Sequence, residues 1–128
     1  MKLLLDTHFL LWAAGEPARL SPDAVVLIEA EENELFFSAA SLWEVVVKSR
    51  LGRDGFGVDA RLLRRGLRDN GYQEVPIASE HVLAVAGLPN IHKDPFDRIL
   101  VAQALVEGIT LLTGDSLVAQ YPCPVRMV

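Results

Sequence analysis

Cysteine is nearly absent. Cys123, set between two prolines, is the only one among 128 residues. No internal disulfide can form, which fits a reducing compartment, and zinc held by cysteines is excluded. Histidine is scarce as well: His8, His81 and His92 lie far apart, and no His/Cys ligand set stands out. No charge-free run approaches the roughly 18 residues that a membrane-spanning helix needs. There is no P-loop and no G-x-G-x-x-G, and no G-x-S-x-G elbow to support a serine nucleophile. Positive charge is in deficit, at a net −5, which taken alone argues against a nucleic-acid partner, although the charge is unevenly distributed. The start, MKLLLDTHFLLWAAG, could pass for a signal peptide, but Asp6 and His8 interrupt it. The expectation is a cytoplasmic chain with no membrane attachment.

Apolar residues are plentiful, at 51% of the chain. A length of 128 residues suits a single domain, 1–128, with one core. So apolar a composition predicts that a partner covers part of the surface. Charge is unevenly spread. Residues 48–68 hold Lys48, Arg50, Arg53, Arg61, Arg64, Arg65 and Arg68 against only Asp54 and Asp59. Glu29, Glu31, Glu32 and Glu34 form an acidic run, read as a solvated face. The basic stretch is read as the electrostatic footprint of a polymer's phosphate backbone, with Lys48, Arg50, Arg61, Arg64, Arg65 and Arg68 as contacts.

Short apolar strands alternate with helices. Strands are predicted at 2–6, 34–38, 72–77 and 109–113, with a further one at 125–128. Helices are predicted at 7–14, 21–33, 39–52, 60–71, 79–88 and 95–108. A short helix should follow the turn at Gly114. This order indicates an α/β domain whose mostly parallel sheet is covered on both faces.

Four carboxylates stand out against this frame. Asp6 ends the first strand and Asp115 follows the strand ITLLT. Carboxyl ends of strands are where open parallel sheets place their sites. Glu44 is surrounded by Trp43, Val45, Val46 and Val47, where an unpaired carboxylate is costly to bury. Asp97 heads the apolar run of the helix that follows Pro95. Each acid also has a plain reading. Asp94 is a good N-cap with Asp97 at N3, and Ser41 with Glu44 has the spacing of a capping box. Asp6 and Asp115 suit turns or caps after strands. Taken together, clustered carboxylates repel and call for a cation, and an all-oxygen set suits Mg²⁺ or Mn²⁺. A carboxylate-held ion of this kind serves phosphodiester hydrolysis. His8 is read as a core or surface residue and His92 as a loop residue.

The stretches LLLDTHFLLW (3–12), SAASLWEVVVKSRLG (38–52), HKDPFDRILVAQA (92–104) and LLTGD (111–115) occur in this order over nearly the whole chain. Together they resemble PIN-domain ribonucleases of the VapC toxin type. The resemblance implies a PIN-like three-layer α/β/α domain with a central sheet of four to five short strands. It also implies an Mg²⁺- or Mn²⁺-dependent endoribonuclease that cleaves structured RNA of the transfer or ribosomal class. Such enzymes are toxins of toxin–antitoxin pairs, commonly homodimeric and held inactive by a VapB-type antitoxin. Asp6, Glu44, Asp97 and Asp115 match the family's acids, and Thr7 its small hydroxyl position. Thr7, Ser41, Asp94 and Ser116 are read as supporting residues. Leu117 departs from a further polar ligand that many relatives carry, so one tightly held metal is expected, with a second arriving with RNA. The rival readings are a non-catalytic RNA- or protein-binding module of the same fold and another Mg²⁺-dependent phosphoryl-transfer hydrolase.

Overall fold

The computed structural model describes residues 1–128. Five strands, β1 (Lys2–Leu5), β2 (Glu34–Ser38), β3 (Gln73–Val75), β4 (Thr110–Thr113) and β5 (Val125–Met127), form one sheet in the order β3-β2-β1-β4-β5. Every neighbouring pair is parallel, β5 included. Six helices accompany it: α1 (Thr7–Gly15), α2 (Pro22–Glu29), α3 (Ala39–Arg50), α4 (Ala60–Asp69), α5 (Ser79–Val85) and α6 (Pro95–Glu107).

Alternation along the strands divides the core. Leu3, Leu5 and Leu112 face a cluster with Phe9 and Leu10 of α1, Val45 of α3, and Leu63 and Leu67 of α4. Leu4 and Leu111 face the opposite cluster, built largely from Ile99, Leu100, Val101, Ala102 and Ala104 of α6. The central strands β1 and β4 are buried on both faces, which is why their sequences are apolar without alternation. No helix is long and apolar enough to cross a membrane.

Several elements are shorter than their sequences predict, α3 and α4 by two residues each at their ends. α2 ends at Glu29 instead of running to 33, because Asn33 turns back. Its side-chain amide donates to the Leu27 carbonyl, and its Oδ1 accepts from the terminal amine of Met1. β3 stops at Val75, ahead of Pro76, which has no N–H to give a ladder. α5 closes at Val85, and 86–88 continue as tight turns.

The topology places the site. The chain leaves β1 in one direction along the sheet toward β2 and β3, then crosses to the other side of β1 for β4 and β5. The carboxyl ends of β1 and β4 therefore flank a topological switch point, where an open parallel sheet leaves a crevice. Asp6 follows β1, and Asp115 follows β4 by two residues.

Candidate active site

Each acid reaches this crevice through a different element. Asp6 is the N-cap of α1: its Oδ1 accepts from the Phe9 N–H at 2.9 Å. Its Oδ2 accepts from the Thr113 hydroxyl at 2.6 Å. That same hydroxyl accepts from the Asp115 N–H at 3.0 Å, so one threonine ties the two strand-end acids together. Asp115 Oδ1 accepts from the Leu117 N–H at 2.8 Å, the bond of an Asx turn. Gly114 serves space rather than handedness, since its φ is not positive. A Cβ there would lie 3.3 Å from the Phe9 ring.

Glu44 requires a correction. Ser41 is not an N-cap and makes no capping box with Glu44. The cap of α3 is Ser38, whose hydroxyl accepts from the Ala40 N–H. Ser41 and Glu44 therefore lie inside the helix, on its buried side. Ser41 Oγ accepts from the Thr7 hydroxyl at 2.9 Å, which fixes α3 against the start of α1. Glu44 is 2% exposed. Its Oε2 accepts from Lys48 Nζ, one turn along, while its Oε1 is buried with no partner at all. A carboxylate oxygen left bare in the interior is costly, and such an atom calls for a cation or a proton.

Asp94 caps α6 as the spacing predicts, accepting from the Phe96 N–H at 2.8 Å, with Pro95 at the first position and Asp97 in the first turn. Asp94 Oδ2 also takes Lys48 Nζ at 3.0 Å. Lys48, read from sequence with the RNA contacts, is thus turned inward. It bridges Glu44 and Asp94, with its ammonium 5.1 Å from the Phe56 ring and 5.6 Å from the Phe96 ring. Burial opposes its charge, yet the two carboxylates push its pKa above the ordinary lysine value. Burial likewise works against the Asp94 anion, but the Lys48 and Phe96 hydrogen bonds hold its pKa below the usual carboxylate range.

Asp97 is the opposite case. Burial, then the charges of Asp94 and Glu44, push its pKa up to about 7, against a smaller pull from His92. Burial also raises Asp6, against its bonds from Thr113 and Phe9, and the Glu44 charge adds to the rise. Asp6, Glu44 and Asp97 therefore feel one another, as converging acids must.

His92 was not legible as a site residue. Its Nε2 lies 3.3 Å from Asp97 Oδ2 and 3.2 Å from Asp115 Oδ2. Its Nδ1 accepts from the Asp94 N–H at 3.1 Å. A ring nitrogen that accepts carries no proton, so the proton of neutral His92 sits on Nε2 and points at the two carboxylates. These three side chains are close enough to share an ion. To ligate one, however, His92 would have to release the Asp94 N–H and move its proton. His92 acts instead as a donor that spans Asp97 and Asp115. His8 is exposed and meets Phe56 edge-to-face and Trp12 at a tilt.

The other residues read from sequence as RNA contacts pair with none of the crevice acids. Arg61, Arg64, Arg65 and Arg68 are exposed along α4, and Arg50 is exposed at the end of α3. Arg64 pairs with Glu74 at 2.8 Å. Ser116 is exposed beside Asp115.

The PIN domain family model matches residues 3–122. The chain belongs to the PIN-domain family. It is 29% identical over 128 residues to Ribonuclease VapC22 of Mycobacterium tuberculosis, spanning 98% of this chain and 97% of that one. Among solved structures, the fold is similar to VapBC2 from Rickettsia felis bound to a DNA fragment from their promoter (TM-score 0.70, 14% identity, 99% of this chain and 98% of that chain). It is also similar to VapBC-1 from nontypeable Haemophilus influenzae (TM-score 0.57, 15% identity, 99% and 98%). For this PIN domain, the all-parallel sheet between helical layers agrees with the α/β/α architecture expected from sequence.

Proposed function

We propose that this PIN-domain protein is a metal-dependent endoribonuclease, the toxin of a toxin–antitoxin pair. The observation that carries the reading is the convergence of Asp6, Glu44, Asp97 and Asp115 on the switch-point crevice, with Glu44 Oε1 buried and bare. The donor set fits Mg²⁺ or Mn²⁺. It is all oxygen, it comes from four separate elements, and it stores repulsion that a cation relieves. A bound divalent ion would activate water and offset charge on the phosphate.

The chain's own residues perform the rest. Lys48 holds Glu44 and Asp94 in place. Thr113 couples Asp6 to Asp115 across the sheet. Asp115 is the most open of the site acids, with its side chain 39% exposed, and it orients the attacking water. His92 Nε2–H keeps Asp115 and Asp97 aimed at the same space. Arg50, Arg61, Arg64, Arg65 and Arg68 gather the RNA backbone beside an acidic crevice that would otherwise repel it.

The name of the curated relative supports ribonuclease activity. The VapBC complexes among the similar structures support a VapB-type antitoxin as the partner, and the chemistry of an acidic crevice calls for one that brings a basic side chain to the carboxylates. We assign transfer or ribosomal RNA as the substrate class, a homodimer as the assembly and the cytoplasm as the location. Incubation of purified protein with transfer and ribosomal RNA, with Mn²⁺ and with chelator, tests the reading. Discrete cuts in one RNA that vanish with chelator are expected. Intact RNA under both conditions would overturn it.

A further inference from the structure

We propose that Lys48 takes the place of a second divalent cation, so that the crevice holds one ion. The inference rests on the metal-dependent reading above. Lys48 divides the acids into those its ammonium touches and those it does not. On one side, the Lys48 ammonium occupies Glu44 Oε2 and Asp94 Oδ2, 3.0 Å from the latter. The rings of Phe56 and Phe96 flank it, which limits where it can swing. Asp115 is engaged as well: Oδ1 by the Leu117 N–H, and Oδ2 by His92 Nε2. Leu117 itself brings no side-chain donor.

On the other side stand Glu44 Oε1, which has no partner, and Asp97, whose only side-chain neighbour within ion-pair reach is His92. Asp6 adjoins them, its own two oxygens accepting from the Phe9 N–H and the Thr113 hydroxyl. Glu44 therefore gives one oxygen to a fixed ammonium and leaves the other buried and unpaired. One monovalent charge is built into the helix, one turn from the glutamate it serves, and it crosses 46 residues of sequence to reach Asp94. A second divalent ion would have to displace it from both carboxylates. Charge that the chain supplies permanently is charge that the solvent need not supply.

Counting Mn²⁺ on the free protein by electron paramagnetic resonance tests this without reference to activity. Wild type is expected to take up one ion per chain up to millimolar Mn²⁺. Lys48→Gln is expected to take up a second and to bind the first about tenfold or more tightly, since a like charge has left the site. Lys48→Arg keeps the charge and is expected to stay at one. Lys48→Met gives the same count where Gln does not fold, as judged by circular dichroism. Two ions on wild type, or a neutral variant that counts and binds as wild type does, would overturn the assignment and leave the nuclease reading standing. No ion on any of these chains would overturn both.

Discussion

The acidic crevice and the basic face of α4 carry opposite charge and are built in opposite ways. In the crevice, five acids come from four elements, Asp94 and Asp97 sharing α6, and each has named partners: Thr113 for Asp6, Lys48 for Glu44 and Asp94, His92 for Asp97 and Asp115. On α4, the arginines follow one another along a single helix, stand in solvent, and only Arg64 is paired. Buried charge depends on geometry, so single changes there should be large and insensitive to salt. Exposed charge depends on number, so single changes should be small, additive and screened.

The largest effect should come from Asp97→Asn. It removes one anion from a crowded set and keeps the shape. Loss of RNA cleavage by orders of magnitude is expected, read in a gel assay with Mn²⁺. Stability should move the other way. The folded pKa of Asp97 is raised to about 7, so the native chain binds more protons than the unfolded chain between about pH 4 and 7. Metal-free wild type should therefore lose stability from this group as pH rises through that window. Asp97→Asn should be free of the loss and, without metal, roughly 1–3 kcal/mol more stable at pH 8. Denaturant melts at pH 5 and pH 8 check the sign.

Next in size is the response to metal. Saturating Mn²⁺ at a hundred times its dissociation constant should stabilise wild type by about 2.7 kcal/mol. Chelator should remove the gain together with cleavage, as differential scanning fluorimetry would record.

Asp94→Ala should cost less, roughly 0.5–2 kcal/mol, as an N-cap disappears and Lys48 keeps only Glu44. Part of the metal response should survive. An Asp94→Ala chain that melts like wild type would show that the cap contributes little.

The smallest single effects belong to α4. Each of Arg61→Ala, Arg65→Ala and Arg68→Ala should weaken RNA binding a few-fold. The combined variant with Arg64→Ala should flatten the salt dependence, by about 0.7–0.9 in log–log slope for each RNA phosphate that an arginine no longer neutralises. A variant in the crevice that altered the salt slope as much would erase the contrast between the two regions.

Most of the fold was legible because local signals agreed with one another. Ser21, Asp94 and Pro95 mark helix starts, Gly108 with a φ of 65° marks a stop, and the apolar runs of β1 and β4 mark central strands. The four acids were legible by position, at strand ends or inside apolar helices. Capping and a place in the crevice are not alternatives at Asp6, which caps α1 and lies beside Glu44 at once. The Glu44 capping box fails because Ser38, three residues before Ser41, wins the cap. Lys48 and His92 were hidden for a different reason. The turn of helix between Lys48 and Glu44 is visible in sequence, but the reach to Asp94 is not. The His92 ring is placed by the Asp94 N–H, and its backbone N–H by the Tyr121 hydroxyl at 2.8 Å, bonds that exist only once the chain has folded.

The central claim is that these carboxylates form a cation site. Glu44→Gln tests it most directly, because the change is isosteric and falls on the residue with the bare buried oxygen. Melting temperature measured against Mn²⁺ concentration should rise for wild type, and stay flat or nearly so for Glu44→Gln, in protein that is otherwise folded. A variant that tracks the wild-type rise, or a wild type that shows none, would contradict the account.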